Sequence, residues 1–129
     1  MKKKIYLYLT GGLGNQLFQY AAAKQIAIKN KAQLILDTKS GFVTDFRFRR
    51  KFLLHSFNLK NLFFSNNFFF YFFRFYKKIF FIKKLFYFFS SIKIIDEFYS
   101  FKKFHNSIKN VTFVKNLYIL GLFQSENYF

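Results

Sequence analysis

The sequence predicts an α/β protein in which a parallel sheet is flanked by helices. The prediction depends on an apolar run at residues 5–9, on three glycines that follow it, and on helix-forming residues without Gly or Pro from 15 to about 31. Later apolar runs at 33–36, 92–95 and 117–123 indicate further strands. Strands that alternate with helices in this way are typical of parallel sheets.

A glycine-rich junction joins the first predicted strand to the first predicted helix. Gly11, Gly12 and Gly14 permit positive φ and carry no side chains that would keep a ligand away from the backbone. The first N–H groups of the helix then point outward, which favours anions, phosphate above all. Asn15 either caps this helix or reaches into the cleft, and Gln16 supplies a second amide.

Two common glycine motifs do not fit this junction. A dinucleotide-binding G-x-G-x-x-G pattern would begin at Gly12, but its third glycine position is Leu17. No Gly-Lys-Ser/Thr sequence follows, as a P-loop requires. The junction therefore favours neither a dinucleotide-binding protein nor a P-loop NTPase.

Polar residues follow the later apolar runs. Asp37 ends the second predicted strand, where cleft residues of open α/β sheets are commonly found, and it either contacts a substrate hydroxyl or caps the turn at 38–41. Asp96 and Glu97 mark the end of another strand. The last run is followed by Gln124, Ser125 and Glu126. If the strands are parallel, these last residues lie at the same sheet edge as the glycines.

The chain is strongly basic, with a net charge of +17 and five acidic residues among 129. Such a charge is typical of proteins that bind nucleic acids or anionic membranes, although a coding sequence rich in A and T would also favour Lys and Phe. No RNP-like, zinc-finger or helix-turn-helix pattern occurs, so no specific nucleic-acid partner is expected. The absence of Cys excludes disulfides and cysteine nucleophiles, and the first apolar run is too short for a signal peptide. A cytoplasmic location is expected.

Residues 61–93 are dominated by Phe and Lys and are predicted to form a helical insertion. The longest uncharged stretch, 61–73, is shorter than the roughly 18 apolar residues that a membrane-spanning helix needs. Four basic residues fall broadly together on a helical projection: Arg74, Lys77, Lys78 and Lys84. The segment is therefore either an interfacial helix, peripheral on the inner face of an anionic membrane, or a core helix with solvated lysines.

Several segments carry a family resemblance. Residues 11–21 are GGLGNQLFQYA, and residues 120–129 are LGLFQSENYF. Together with 34–42 and 50–59, they resemble, in the same order, elements of the bacterial α-1,2-fucosyltransferase family. That family opens with Gly-Gly-Leu-Gly-Asn-Gln-Leu/Met-Phe-Gln-Tyr-Ala and later has Gly-Tyr-Phe-Gln-Ser-Glu-x-Tyr-Phe. The resemblance covers roughly the first sixty residues and the last fifteen. Several matches in the same order are more specific than one short motif.

The resemblance implies the N-terminal, acceptor-side half of a GT-B glycosyltransferase, in which two Rossmann-like domains face each other and GDP-fucose lies mainly on the second. Residues 1–129 have room for one such domain. The second domain carries a His-x-Arg-Arg-x-Asp element, which this sequence does not match. Around the pair Arg49 and Arg50, the His position of the element is Arg47 and its Asp position is Phe52. The chain is therefore expected to lack the GDP-fucose-binding domain and to be inactive without a separately encoded C-terminal half.

For the parent enzyme, the resemblance implies transfer of L-fucose from GDP-β-L-fucose to the 2-hydroxyl of a galactose-containing glycan, with inversion. Asn15 is expected to face the reaction centre and, with Asp37, to be catalytic. The expected substrate-binding residues are Gly11, Gly12, Gly14, Gln16, Gln124, Ser125 and Glu126. No metal is expected, and no cofactor besides the donor substrate. Two alternatives stay open: a peripheral membrane-surface protein without catalysis, and a nucleic-acid-binding protein.

Overall fold

The structure is a computed structural model that describes residues 2–43, 45–59, 63–64, 92–97, 111–113 and 115–124. Strand β1 spans Lys4–Tyr8, and helix α1 spans Leu13–Lys29. The other strands are β2 at Gln33–Asp37, β3 at Phe63–Phe64, β4 at Ile92–Asp96 and β5 at Asn116–Leu120. A short 3-10 helix occupies Leu54–Ser56.

The five strands form one parallel sheet in the order β3-β2-β1-β5-β4. In the register, Lys4 pairs with Gln33 of β2 on one side and with Asn116 of β5 on the other. On one side of β1 lie β2 and then β3, in chain order. On the other side lie β5 and then β4. The chain therefore crosses from one side of β1 to the other, and the order of the strands reverses between β1 and β5. In open α/β sheets, ligands bind at the carboxyl ends of the strands at such a reversal.

This architecture confirms the predicted α/β class with a parallel sheet, and it is compatible with a Rossmann-like fold. The core lies where α1 packs on the sheet. Ile5, Leu7 and Leu9 are fully buried at every second position, as the alternation of side chains along a strand requires. The helix contributes Ala22, Ala23, Ile26 and Ala27 to the same cluster. Its small side chains let the helix backbone approach the strands closely.

Two tyrosines stack across the centre of the sheet. Tyr6 and Tyr118 are direct neighbours in the β1–β5 pair, with ring centroids 4.6 Å apart and ring planes inclined by 7°. Burial raises the pKa of the Tyr118 phenol well above its ordinary value, and the nearby Tyr6 raises that pKa further. Burial also raises the pKa of Tyr6. The folded sheet thus favours the neutral form of both phenols.

Two predicted boundaries differ from the structure. Helix α1 begins at Leu13 instead of residue 15, because Gly12 and not Asn15 occupies the N-cap position. Strand β5 ends at Leu120 instead of residue 123, because a turn follows in which Phe123 has a φ of +53°. The earlier helix start shortens the loop after β1, and the earlier end of β5 leaves residues 121–124 in a loop at the carboxyl edge of the sheet, where the candidate site lies.

The predicted helical insertion at 61–93 is wrong for the parts of it that the structure describes at its two ends. Phe63–Phe64 form β3, which pairs with Ile35 and Leu36 of β2, and the last residues belong to β4. Aromatic side chains suit strands, and β2 supplies the backbone partners. The rest of the segment lies outside the described residues. In the part of the chain that the structure describes, no helix combines the length and hydropathy needed to cross a bilayer.

Candidate functional site

The candidate site lies where the carboxyl ends of β1 and β5 meet. Gly11, in the turn after β1, has a φ of +82°, which side chains disfavour. A Cβ atom on Gly11 would also lie 2.5 Å from Nδ2 of Asn15. Glycine is therefore needed here for two reasons: the backbone conformation, and the close approach of the Asn15 side chain.

The side chains of Asn15 and Gln124 join the two loops at this edge. Nε2 of Gln124 donates a hydrogen bond to Oδ1 of Asn15. The N-cap residue of α1 is Gly12, without a side-chain cap hydrogen bond, so Asn15 does not cap the helix. The structure thus excludes the capping alternative for Asn15 and places its amide against Gln124 at the carboxyl edge of the sheet. Ser125 and Glu126 lie outside the described residues.

The start of α1 leaves backbone donors without acceptors in the helix. The first helical hydrogen bond runs from the Gln16 N–H to the Gly12 carbonyl at 3.0 Å, so the N–H groups of residues 13–15 have no intrahelical acceptor. No acidic residue lies in the first turn. A Cβ atom on Gly12 or Gly14 would meet no atom within 4 Å. The helix start therefore offers donors and space to a charged or polarised oxygen.

Gln16 has a different role from the expected contact with substrate. Its side chain is fully buried, and Nε2 donates to the carbonyls of Gly11 at 3.0 Å and Lys51 at 2.9 Å. Its Oε1 accepts a hydrogen bond from the Leu53 N–H at 2.9 Å. Both N–H donors of the Gln16 side chain therefore bond backbone carbonyl groups. The structure places Gln16 as a tie between the glycine junction and the segment 51–53, turned away from the cleft.

Gln19 is a second buried amide, and no role was predicted for it from the sequence. Its Oε1 accepts from the Thr10 N–H at 3.1 Å, and its Nε2 donates to the Thr10 carbonyl at 3.2 Å. This reciprocal pair fixes the backbone just before the glycines. Gln16 and Gln19 are three residues apart, which places both amides on the same face of the helix. This spacing could have predicted that both bond the same part of the backbone.

Asp37 ends β2 and has 3 % of its surface exposed. Its Oδ1 accepts hydrogen bonds from the N–H groups of Lys39 and Ser40, both at 3.0 Å, so it caps the following turn. Its Oδ2 is buried and has no hydrogen-bond partner among the described residues. A catalytic role for Asp37 would require Oδ2 to become accessible to substrate, and that role stays a prediction.

Glu97 positions the loop after β5. It directly follows β4, which ends at Asp96 as predicted, and it is buried. Its Oε2 accepts hydrogen bonds from the N–H groups of Leu122 at 2.5 Å and Phe123 at 2.9 Å. From the sequence, Glu97 was predicted only to mark a strand end, without this role. The carboxylate holds the turn that carries Gln124 toward Asn15.

A basic loop lies farther along the same edge, after the turn that follows β2. Asp45 organises it, because Oδ1 accepts from the Phe48 N–H at 3.1 Å and Oδ2 accepts from the Arg50 N–H at 3.4 Å. The Arg50 guanidinium also lies 3.8 Å from Oδ2 of Asp45. An open pocket of about 450 Å³ adjoins this loop and is lined by residues between 38 and 52. No functional role was predicted for this loop from the sequence.

Comparison of the chain with family models, curated proteins and solved structures finds no match in any of the three. The class that the structure defines is an α/β protein with a five-stranded parallel sheet. Among the described residues, no cluster of three or more His, Cys, Asp or Glu side chains could hold a metal ion. The candidate site consists of a glycine turn, backbone donors at a helix start and two amide side chains.

Proposed function

We propose that this chain is the acceptor-side half of an inverting α-1,2-fucosyltransferase, and that the edge between the glycine junction and the loop after β5 is one wall of its sugar-transfer site. The contact between Asn15 and Gln124 carries the proposal. The two residues are 109 positions apart, within the two segments that resemble the ends of the family's N-terminal half. Two separate parts of the resemblance thus supply neighbouring side chains at the sheet edge where ligands of such folds bind.

The chemistry of the site supports recognition of a sugar hydroxyl. Amide side chains offer both a donor and an acceptor, as hydroxyl groups require. Because Gln124 occupies Oδ1 of Asn15, the Nδ2 donor is turned over Gly11, where it can face a substrate oxygen. The N–H groups of residues 13–15, which have no acceptor within the helix, favour a developing negative charge at the same place.

In the proposed reaction, the 2-hydroxyl oxygen of a galactose-type acceptor attacks the anomeric carbon of fucose, and the bond from that carbon to the diphosphate oxygen breaks. The hydroxyl proton passes to a base, and GDP leaves with the bonding electrons. Asp37 is the candidate base, provided that Oδ2 becomes accessible. The His-x-Arg-Arg-x-Asp element that holds the diphosphate in the resembled family does not occur in this sequence. We therefore assign the donor nucleotide to a second domain that carries this element.

Acceptor binding is tested by saturation-transfer NMR with lactose and, as the glucose-only counterpart, maltose. We expect lactose to bind and maltose to bind at least tenfold more weakly. Asn15→Ala should weaken lactose binding by about tenfold, the equivalent of one good hydrogen bond. Gln25→Ala is the matched control, because it lies on the same helix about 15 Å away. Equal binding of both sugars, or equal effects of both variants, would contradict the proposed acceptor site.

The transfer step is tested by GDP release from GDP-fucose in the presence of lactose. The chain is mixed with the C-terminal domain of a bacterial α-1,2-fucosyltransferase, and each half is measured separately as a control. We expect GDP release from the mixture above the sum of the two halves, and loss of that excess with Asn15→Ala. Absence of turnover with both halves folded would count against the fucosyl assignment, whatever the result for lactose binding.

A further inference from the structure

The basic loop at residues 45–51 exposes aromatic side chains. Phe46 is 81 % exposed and Phe48 is 57 % exposed. The loop sequence is DFRFRRK, with four basic residues and one acidic residue, a net charge of +3. Single exposed apolar residues are common on protein surfaces, but two phenylalanines between arginines form a surface that is both apolar and cationic.

Two cations of this loop lie over the ring of Phe48. The Arg50 guanidinium lies 4.2 Å from the centre of the Phe48 ring, and that of Arg47 lies 5.1 Å from the same centre. The single carboxylate, Asp45, is used by two backbone N–H groups and by Arg50. Among the described residues, Arg49 has no ion-pair partner. Most of the positive charge is therefore available to an external anion.

The loop is also held in place by the rest of the fold. The Arg49 N–H donates to the Asp45 carbonyl at 2.8 Å, which closes one helical turn around the two phenylalanines. At the end of the loop, the Lys51 carbonyl accepts a hydrogen bond from the buried Gln16. A surface that is ordered before binding loses less conformational entropy when it meets its partner.

We infer that residues 45–51 dock on an anionic lipid bilayer, with Phe46 and Phe48 at the depth of the headgroups and the basic side chains among anionic lipids. Aromatic residues suit the boundary between headgroups and acyl chains. Basic residues near the bilayer are attracted by its negative surface potential. This surface is distinct from the Phe/Lys-rich segment 61–93. Because Gln16 ties it to the glycine junction, binding would bring the candidate site close to the membrane surface.

Vesicle co-sedimentation tests this inference with four single variants. Phosphatidylcholine vesicles are compared with vesicles that also contain phosphatidylglycerol. The loop variants are Phe46→Ser, which removes the most exposed ring, and Arg49→Asn, which keeps a residue that tolerates the positive φ of +50°. The matched controls lie at the opposite edge of the sheet. Ile28→Ser removes an apolar side chain that is 63 % exposed. Lys31→Asn removes a cation at a position whose backbone φ is +51°.

The parent chain should bind the phosphatidylglycerol vesicles, with binding reduced about tenfold by Phe46→Ser and about fivefold by Arg49→Asn. The two controls should change binding by less than twofold, because charges beyond about 8 Å are screened at physiological ionic strength. Loop variants that behave like their controls would overturn the inference in favour of binding through total charge or another segment. An effect of Arg49→Asn without one of Phe46→Ser would also overturn it, in favour of a soluble polyanion such as a nucleic acid.

A second measurement reports insertion directly and does not depend on a loss of binding. Because the chain has no Trp, a single Phe46→Trp substitution gives a unique fluorophore at the loop. Its emission should shift to shorter wavelength with phosphatidylglycerol vesicles and be quenched by brominated acyl chains. Ile28→Trp is the control and should show neither change. Bound protein whose residue 46 fluorophore stays in water would contradict the proposed orientation.

Discussion

The side-chain amides of Asn15 and Gln124 meet at the carboxyl edge of the sheet although 109 positions separate them in the chain. The contact exists because β1 and β5 are parallel neighbours, so that the loops after both strands emerge at the same edge. Glu97 then directs the second loop by accepting hydrogen bonds from Leu122 and Phe123. The geometry of the candidate site thus depends on the glycine turn, on Gln16 and on Glu97.

Gly11→Ala should destabilise the fold by about 2–4 kcal/mol. The new Cβ would require a strained backbone at a φ of +82° and would lie 2.5 Å from the Asn15 amide nitrogen. Gly14→Ala is the control, because its Cβ would meet open space and alanine is the better helix former, so its stability should be equal or higher. Urea unfolding measures both free energies. Equal stability of the two variants would show that the turn does not constrain residue 11.

Gln16→Leu should lower the free energy of unfolding by about 2–5 kcal/mol. The change leaves the Gly11 and Lys51 carbonyls and the Leu53 N–H without their partner. Gln25→Leu, on the same helix, should cost less than about 0.5 kcal/mol. Hydrogen exchange at the Leu53 amide separates a local effect from a global one. Unchanged protection of that amide in Gln16→Leu would contradict the role of Gln16 as a tie.

Glu97→Ala should cost about 2–4 kcal/mol of stability, because two backbone N–H groups lose their shared acceptor. Glu97→Gln keeps one acceptor oxygen and should lower the free energy of unfolding by about 1 kcal/mol. Lactose binding should fall in Glu97→Ala as the turn that carries Gln124 loosens, and should be largely retained in Glu97→Gln. If Glu97→Ala loses stability but binds lactose as tightly as the parent chain, then Gln124 does not contribute to the acceptor site.

Stability should fall above pH 10 because of the stacked tyrosines. Burial, and then Tyr6, raise the pKa of Tyr118 above its ordinary value of 10.0, so the folded state binds the phenolic proton more tightly than the unfolded state does. The stabilising contribution is therefore complete below pH 10 and is lost as the pH rises from there toward the folded pKa. Urea unfolding at several alkaline pH values measures it. Tyr118→Phe should remove most of this pH dependence, and an identical pH profile in that variant would contradict the assignment.

The sequence predicted the parts of the structure that depend on local patterns. The strands at 5–9 and 33–36, the helix after the glycines and the parallel arrangement follow from hydrophobic periodicity and from glycine chemistry. The common edge of residues 11–15 and Gln124 followed from parallel topology alone. The strands and the helix have short-range causes, and the structure differs from the predicted ones mainly in where they begin and end.

The remaining features depend on contacts between distant residues, which a single sequence does not encode visibly. Gln16 and Asn15 are adjacent amides, yet Gln16 is buried against Lys51 and Leu53 and Asn15 bonds Gln124 at the sheet edge. The direction of each side chain is set by how the later loop packs on the helix. Similarly, the role of Glu97 depends on β4 lying beside β5, although β4 and β5 could have been placed in either order.

The backbone amide chemical shifts of the ¹⁵N-labelled chain during a lactose titration test the central claim most directly. If the helix start and the Asn15–Gln124 pair form an acceptor wall, the amides of residues 13–15 and the side-chain amides of Asn15 and Gln124 should shift together and saturate. The amide of Lys31, at the opposite edge, should not move. Saturable shifts confined to residues away from this edge, or the absence of any saturable shift with the chain folded, would contradict the account.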